Sequence, residues 1–100
     1  MPALHISMPH SLGSAEALAR MQQFVARLAA QHAHHISHVE QQWTGNVGRF
    51  KLHLMGFAVE AVVTVGETGV RMEGTMPWAA ALFRGRIEET IRREVAGLLK

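Results

Sequence analysis

"ISHVEQQWTGNVGRFKLHLMGFAVEAVVTVGETGVRMEGTM", Ile36 to Met76, switches the chain to a period of two. Valine, isoleucine and aromatic residues alternate with polar ones, and Gly45, Gly48, Gly56, Gly66 and Gly69 punctuate the run. That is the pattern of antiparallel strands joined by tight turns. It predicts strands over 36–44, 47–55, 57–65 and 70–76.

The turns can be tested against one another, because a slip of one residue sends every side chain to the opposite face. A two-residue turn at Gly45-Asn46 pairs Trp43 with Gly48, Val39 with Leu52 and Glu40 with Lys51. A turn at Met55-Gly56 pairs Leu54 with Phe57, Leu52 with Val59 and Lys51 with Glu60. The loop from Gly66 to Gly69 pairs Val65 with Val70 and Val63 with Met72. The three agree. One face collects Val39, Trp43, Phe50, Leu52, Leu54, Phe57, Val59, Val63, Val65, Val70 and Met72; the other carries the row Glu40, Lys51, Glu60, Thr75. Gln41 falls on the apolar face and Val62 on the polar one, and Met55 is a poor turn residue.

Upstream, Leu4, Ile6 and Met8 alternate with His5 and Ser7, a short strand closed by Pro9 whose place in the sheet stays open. A helix follows over about 14–33, with Ala17, Leu18, Met21, Phe24, Val25 and Leu28 at three- and four-residue spacing. Ser11, Gly13 or Ser14 can cap it. Downstream, Pro77 cannot donate to a ladder but suits a first helical turn, so a last helix is expected over about 77–99. Its stripe is Phe83, Ile87, Ile91, Val95 and Leu98. The expected fold class is α+β, ordered β-α-β-β-β-β-α: an antiparallel four- to five-stranded sheet with two helices packed on one face.

One hundred residues make a single domain, 1–100, able to bury roughly two-thirds of its unfolded surface. Charged residues are 18%, against roughly 25% in soluble domains, which leaves more apolar surface to hide in packing or against partners. There is no Cys, so disulfides and thiolate catalysis are excluded. Residues 1–20 carry no apolar signal region, and no apolar stretch approaches the ~20 residues of a membrane span. A cytoplasmic location is expected. The sequence pI of 9.9 overstates basicity, because net charge is only +2. Arg84, Arg86, Arg92 and Arg93 are interleaved with Glu88, Glu89 and Glu94, so nucleic acid is not expected as a partner.

The histidines at 32, 34, 35 and 38 have spacings that place imidazoles one helical turn apart. The helix must end before the strand at Ile36, which makes the rings diverge, and no carboxylate precedes Glu40 nearby. No metal site is expected. With neither Asp nor Cys, a nucleophile would be Ser or Thr, and His10-Ser11 is the only suggestive pair. Ser11 already suits a turn beside Gly13, and no phosphate loop or dinucleotide fingerprint appears. No catalytic or cofactor-binding residue is assigned.

"MPWAAALF", Met76 to Phe83, remains. Trp78 lies about 140° from Phe83 on a helical wheel, so the apolar arc is wider than one sheet needs. Met76, Trp78 and Leu82, edged by Arg84 and Arg86, are the candidate interaction surface. The alternative is ordinary packing, in the core or against a second copy in a homodimer.

His10-Ser11-Leu12-Gly13 with Glu16-Ala17 and Arg20, Trp43-Thr44-Gly45, Gly56-Phe57, Val63-Thr64-Val65-Gly66-Glu67 and Leu82-Phe83-Arg84-Gly85-Arg86-Ile87-Glu88 together resemble the polyhydroxyalkanoic acid system family. The resemblance covers nearly the whole chain. It implies a bacterial protein found with polyhydroxyalkanoate synthesis and granule proteins, and it carries no reaction or catalytic residue. The expected function is a non-enzymatic accessory of polyester storage granules, partnered by granule material or a granule-associated protein. The alternative is a carrier or modifying enzyme for a hydroxyacyl-type apolar ligand, held in a cavity between sheet and helix.

Overall fold

The computed structural model describes residues 3–100. Five strands, β1 (Ala3–Pro9), β2 (Ile36–Thr44), β3 (Val47–Leu54), β4 (Phe57–Val65) and β5 (Gly69–Thr75), form one antiparallel sheet in the order β1-β5-β4-β3-β2. Helices α1 (Ser14–Met21), α2 (Phe24–Gln31) and α3 (Arg84–Leu98) cover one face. A 3₁₀ helix, Trp78–Phe83, leads into α3.

The meander follows its expected register. Trp43 pairs with Gly48, Glu40 with Lys51, Lys51 with Glu60, Leu52 with Val59 and Val63 with Met72. Gly45 takes φ 58 at the first turn, as a type II′ hairpin demands of its first central residue. Met55 and Gly56 both take positive φ, 51 and 85, so the misplaced methionine does occupy a left-handed position. On the outer face Lys51 Nζ lies 3.8 Å from Glu60, within the expected row.

One pairing departs from expectation. Between Ser37 and Glu40 the register shifts, and His38 and Val39 together face the single residue Leu52. His38 absorbs this β-bulge with φ 54. The extra residue reverses the alternation: Ile36, which strict period two would send outward with Glu40, is 8% exposed, while Val39 is 37% exposed. Ile36 therefore replaces Val39 in the core. Gln41, the other misfit, sits on the edge strand and its Oε1 accepts the Trp43 indole N–H at 3.2 Å. The indole N–H thereby gains a partner at the exposed edge.

Strand β1 takes the vacant edge beside β5, with Leu4 opposite Gly74 and Ile6 opposite Met72. Pro9 ends it at an edge, where a missing N–H breaks no ladder. Leu4 and Ile6 are each 2% exposed, worth on the order of 1.5–3 kcal/mol apiece relative to remaining in water.

The first expected helix is two. The Gln23 N–H bonds to Arg20 rather than to the residue four back, a 3₁₀-type step that turns the chain between α1 and α2. The bend lets Ala17 and Met21 of α1 and Phe24, Val25 and Leu28 of α2 all reach the core. The last expected helix also divides, its first turns being 3₁₀. Phe50 is buried, Trp43 and Phe57 are half-buried, and Phe83 is 42% exposed, outside the inward stripe assigned to it.

Candidate interaction surface

Leaving β5, the chain buries Met76 completely, at 0% exposure. That corrects its assignment to the candidate surface: the position continues the inward alternation of Val70 and Met72, so the side chain anchors the turn from beneath. Pro77 is extended, with φ −62 and ψ 154, and its carbonyl accepts the Ala80 N–H at 3.0 Å. A 3₁₀ helix has three residues per turn, hence three rows of side chains. The row holding Ala80 faces the core, and the small Ala80 is 3% exposed. The other two rows contain Trp78 and Leu82, which are 75% and 88% exposed.

Helix α3 continues the same gradient of exposure. Its C-terminal part is seated, with Val95 at 1% and Leu98 at 7% exposure. Ile91 and Ile87 are only half-buried, and Phe83 is more exposed still. Burial along this stretch thus declines toward the N-terminus of the helix, although Ile87 and Ile91 still pack against the core. Beside the apolar knuckle, Arg84 donates to the Ala3 carbonyl at 3.4 Å and lies 4.0 Å from Glu88. Arg86 is exposed and, among the described residues, joins no ion pair.

The remaining stretches that carry the resemblance hold the fold together. His10 Nε2 pairs with the Gly66 carbonyl at 2.9 Å, and Nδ1 accepts the Leu12 N–H at 3.2 Å, which assigns the Nε2–H tautomer. Both ring nitrogens are engaged, leaving no base for Ser11. Glu67 Oε2 accepts the Ser14 N–H at 3.3 Å and places a carboxylate at the start of α1, where the helix dipole favours it. Gly13 takes φ 77 there. Arg20 donates to the Leu98 carbonyl at 3.0 Å, to the Lys100 carbonyl and to Glu16. Trp43 lies over Gly48, where a Cβ would come within 2.7 Å of its ring, and meets Phe50 edge-on at 5.5 Å. Apart from the expected pairing of Trp43 with Gly48, these contacts were not foreseen, since each joins residues far apart in sequence or depends on how a side chain folds back.

The histidines disperse. His32 follows the end of α2 with a buried Nε2 that has no hydrogen-bond partner, His34 and His35 are exposed, and His38 lies beside His53 with ring centres 4.7 Å apart and planes tilted by 39°. Among the described residues, no three histidines or carboxylates converge on a point where a metal would be held. Two shallow depressions, about 360 and 440 Å³, both open on the outer sheet face, lined by charged side chains including Glu40, Lys51, Glu60 and Glu73. Neither is the helix-covered cavity a carrier would use. No helix among the described residues is long and apolar enough to cross a membrane.

Residues 4–99 match a family model described as "Putative polyhydroxyalkanoic acid system protein". No curated protein matches the chain.

Proposed function

The chain belongs to the polyhydroxyalkanoic acid system family, and from that premise we propose that it serves polyester storage as a non-enzymatic accessory, holding granule material or a granule protein through Trp78 and Leu82. Its place of work is the cytoplasm, at the granule. The observation that carries the reading is the exposure of two large apolar side chains, 75% and 88%, in the 3₁₀ turn that leads into α3, with Arg84 and Arg86 beside them. Large apolar residues clustered in water mark contact sites more often than they serve a free monomer. Met76 beneath and Ala80 facing the core hold this knuckle in place, so presenting it does not require unfolding.

Density-gradient fractionation of cells making polyester tests the proposal. The chain is expected in the granule band, and a Trp78→Ser, Leu82→Ser variant of equal abundance in the soluble fraction. A wild-type chain found wholly in the soluble fraction would overturn it.

A further inference from the structure

We infer that the surface met by the knuckle is an anionic phospholipid layer, into which Trp78 and Leu82 insert while Arg84 and Arg86 engage headgroup phosphates. This deepens the granule reading and rests on it.

Shape is the first support. The knuckle is a convex 3₁₀ turn that presents Leu82 at 88% and Trp78 at 75% exposure. A protein partner would need a complementary pocket and a contact of roughly 1,200–2,000 Å², whereas aromatic side chains supply only about 150–250 Å² each. A fluid lipid layer needs no pocket, because it closes around whatever enters it. Composition is the second support: tryptophan prefers the headgroup level, where its ring is half in hydrocarbon and its N–H is wet, and the Trp78 indole has no hydrogen-bond partner among the described residues.

Charge is the third. From Gly74 to Ile87 the chain has two arginines and no acidic residue. Arg86 is unpaired among the described residues, and Arg84 meets Glu88 only at the 4.0 Å limit of an ion pair. Their alkyl stems can lie along the apolar residues while the guanidinium groups reach phosphate, which they bind bidentately. The outer sheet face offers no such field, since its Arg49, Lys51 and Arg71 are matched in number by Glu40, Glu60 and Glu73.

The test floats the full-length chain with vesicles of phosphatidylcholine alone and of phosphatidylcholine mixed with phosphatidylglycerol. With each basic residue contributing roughly fivefold near an anionic surface, two arginines predict about a 25-fold preference for the mixed vesicles. That preference should fall with salt. An Arg84→Gln, Arg86→Gln variant should lose the preference, and Leu82→Ser should weaken binding to either vesicle, with circular dichroism and unfolding midpoints unchanged. Tryptophan emission should shift to the blue on binding, and the shift should vanish in Trp78→Phe, which leaves Trp43 as the remaining indole. Equal binding to both vesicles, or none, overturns the inference. A chain that bands with granules but ignores vesicles overturns it while the accessory reading stands, the contact then being polymer or a granule protein. A chain that binds neither overturns both. A homodimer that Trp78→Ser dissociates would also overturn it, by placing the knuckle against a second copy.

Discussion

The Arg20 guanidinium in α1 donates to the Leu98 carbonyl at the end of α3, 3.0 Å away and 78 residues along the chain. A cation at a helix C-terminus meets both the dipole and the unpaired carbonyls there. Arg20→Met should therefore destabilise the protein by roughly 1–3 kcal/mol, as a charge-assisted hydrogen bond is lost and carbonyls are stranded. Glu16→Gln should cost only tenths, because exposed helical ion pairs contribute about 0.3–0.5 kcal/mol. Urea unfolding of the two variants distinguishes them, and equal midpoints would show that Arg20 acts only through Glu16.

Gly48→Ala should displace the Trp43 ring, since the added Cβ would stand 2.7 Å from it. A loss of about 1–3 kcal/mol is expected, the usual range for overpacking. Near-ultraviolet circular dichroism should report the displaced indole. In a Trp43→Ala background the same substitution should cost much less, because the clash has gone.

At the bulge, His38 holds φ 54. His38→Gly should leave stability unchanged or raise it slightly, as glycine enters this region without steric cost. His38→Val should lower it by on the order of 1–2 kcal/mol, because a β-branched residue resists positive φ. If valine is tolerated as well as glycine, the bulge does not depend on that backbone angle.

Met76 and Leu82 lie six positions apart in sequence and at opposite extremes of exposure, 0% and 88%. Met76→Ala should cost roughly 2–5 kcal/mol by opening a cavity. The Trp78→Ser, Leu82→Ser double variant should change stability by no more than about 0.5 kcal/mol per site, the usual range for surface changes. Thermal or denaturant unfolding of the purified chain measures both, and a strongly destabilised double variant would return these residues to packing.

The meander was legible because three turns and a period of two constrain one another: Trp43 with Gly48, Lys51 with Glu60 and Val63 with Met72 all stand where local patterning put them. The bulge was not, although a trace existed. Ile36 and Trp43 have opposite parity, and both can face the helices only if one extra residue intervenes. The bend at Gln22-Gln23 carries no glycine or proline, so no local rule marks it. The resemblance named the right family, yet it left open what Arg20 and Glu67 do, because their partners lie 78 and 53 residues away.

By itself the sequence determined the order of strands and helices, the register of the meander and the apolar excess of Met76 to Phe83. All of these follow from nearest neighbours, from turn stereochemistry and from periodicity along the chain. Only the tertiary structure decided that β1 pairs with β5, that the helical stretch 14–31 bends, and that Met76 is buried while Trp78 and Leu82 stay in water. Exposure is a property of what lies across from a side chain. Here it depends on how the 3₁₀ turn and α3 sit over the sheet, which no window of neighbouring residues can specify.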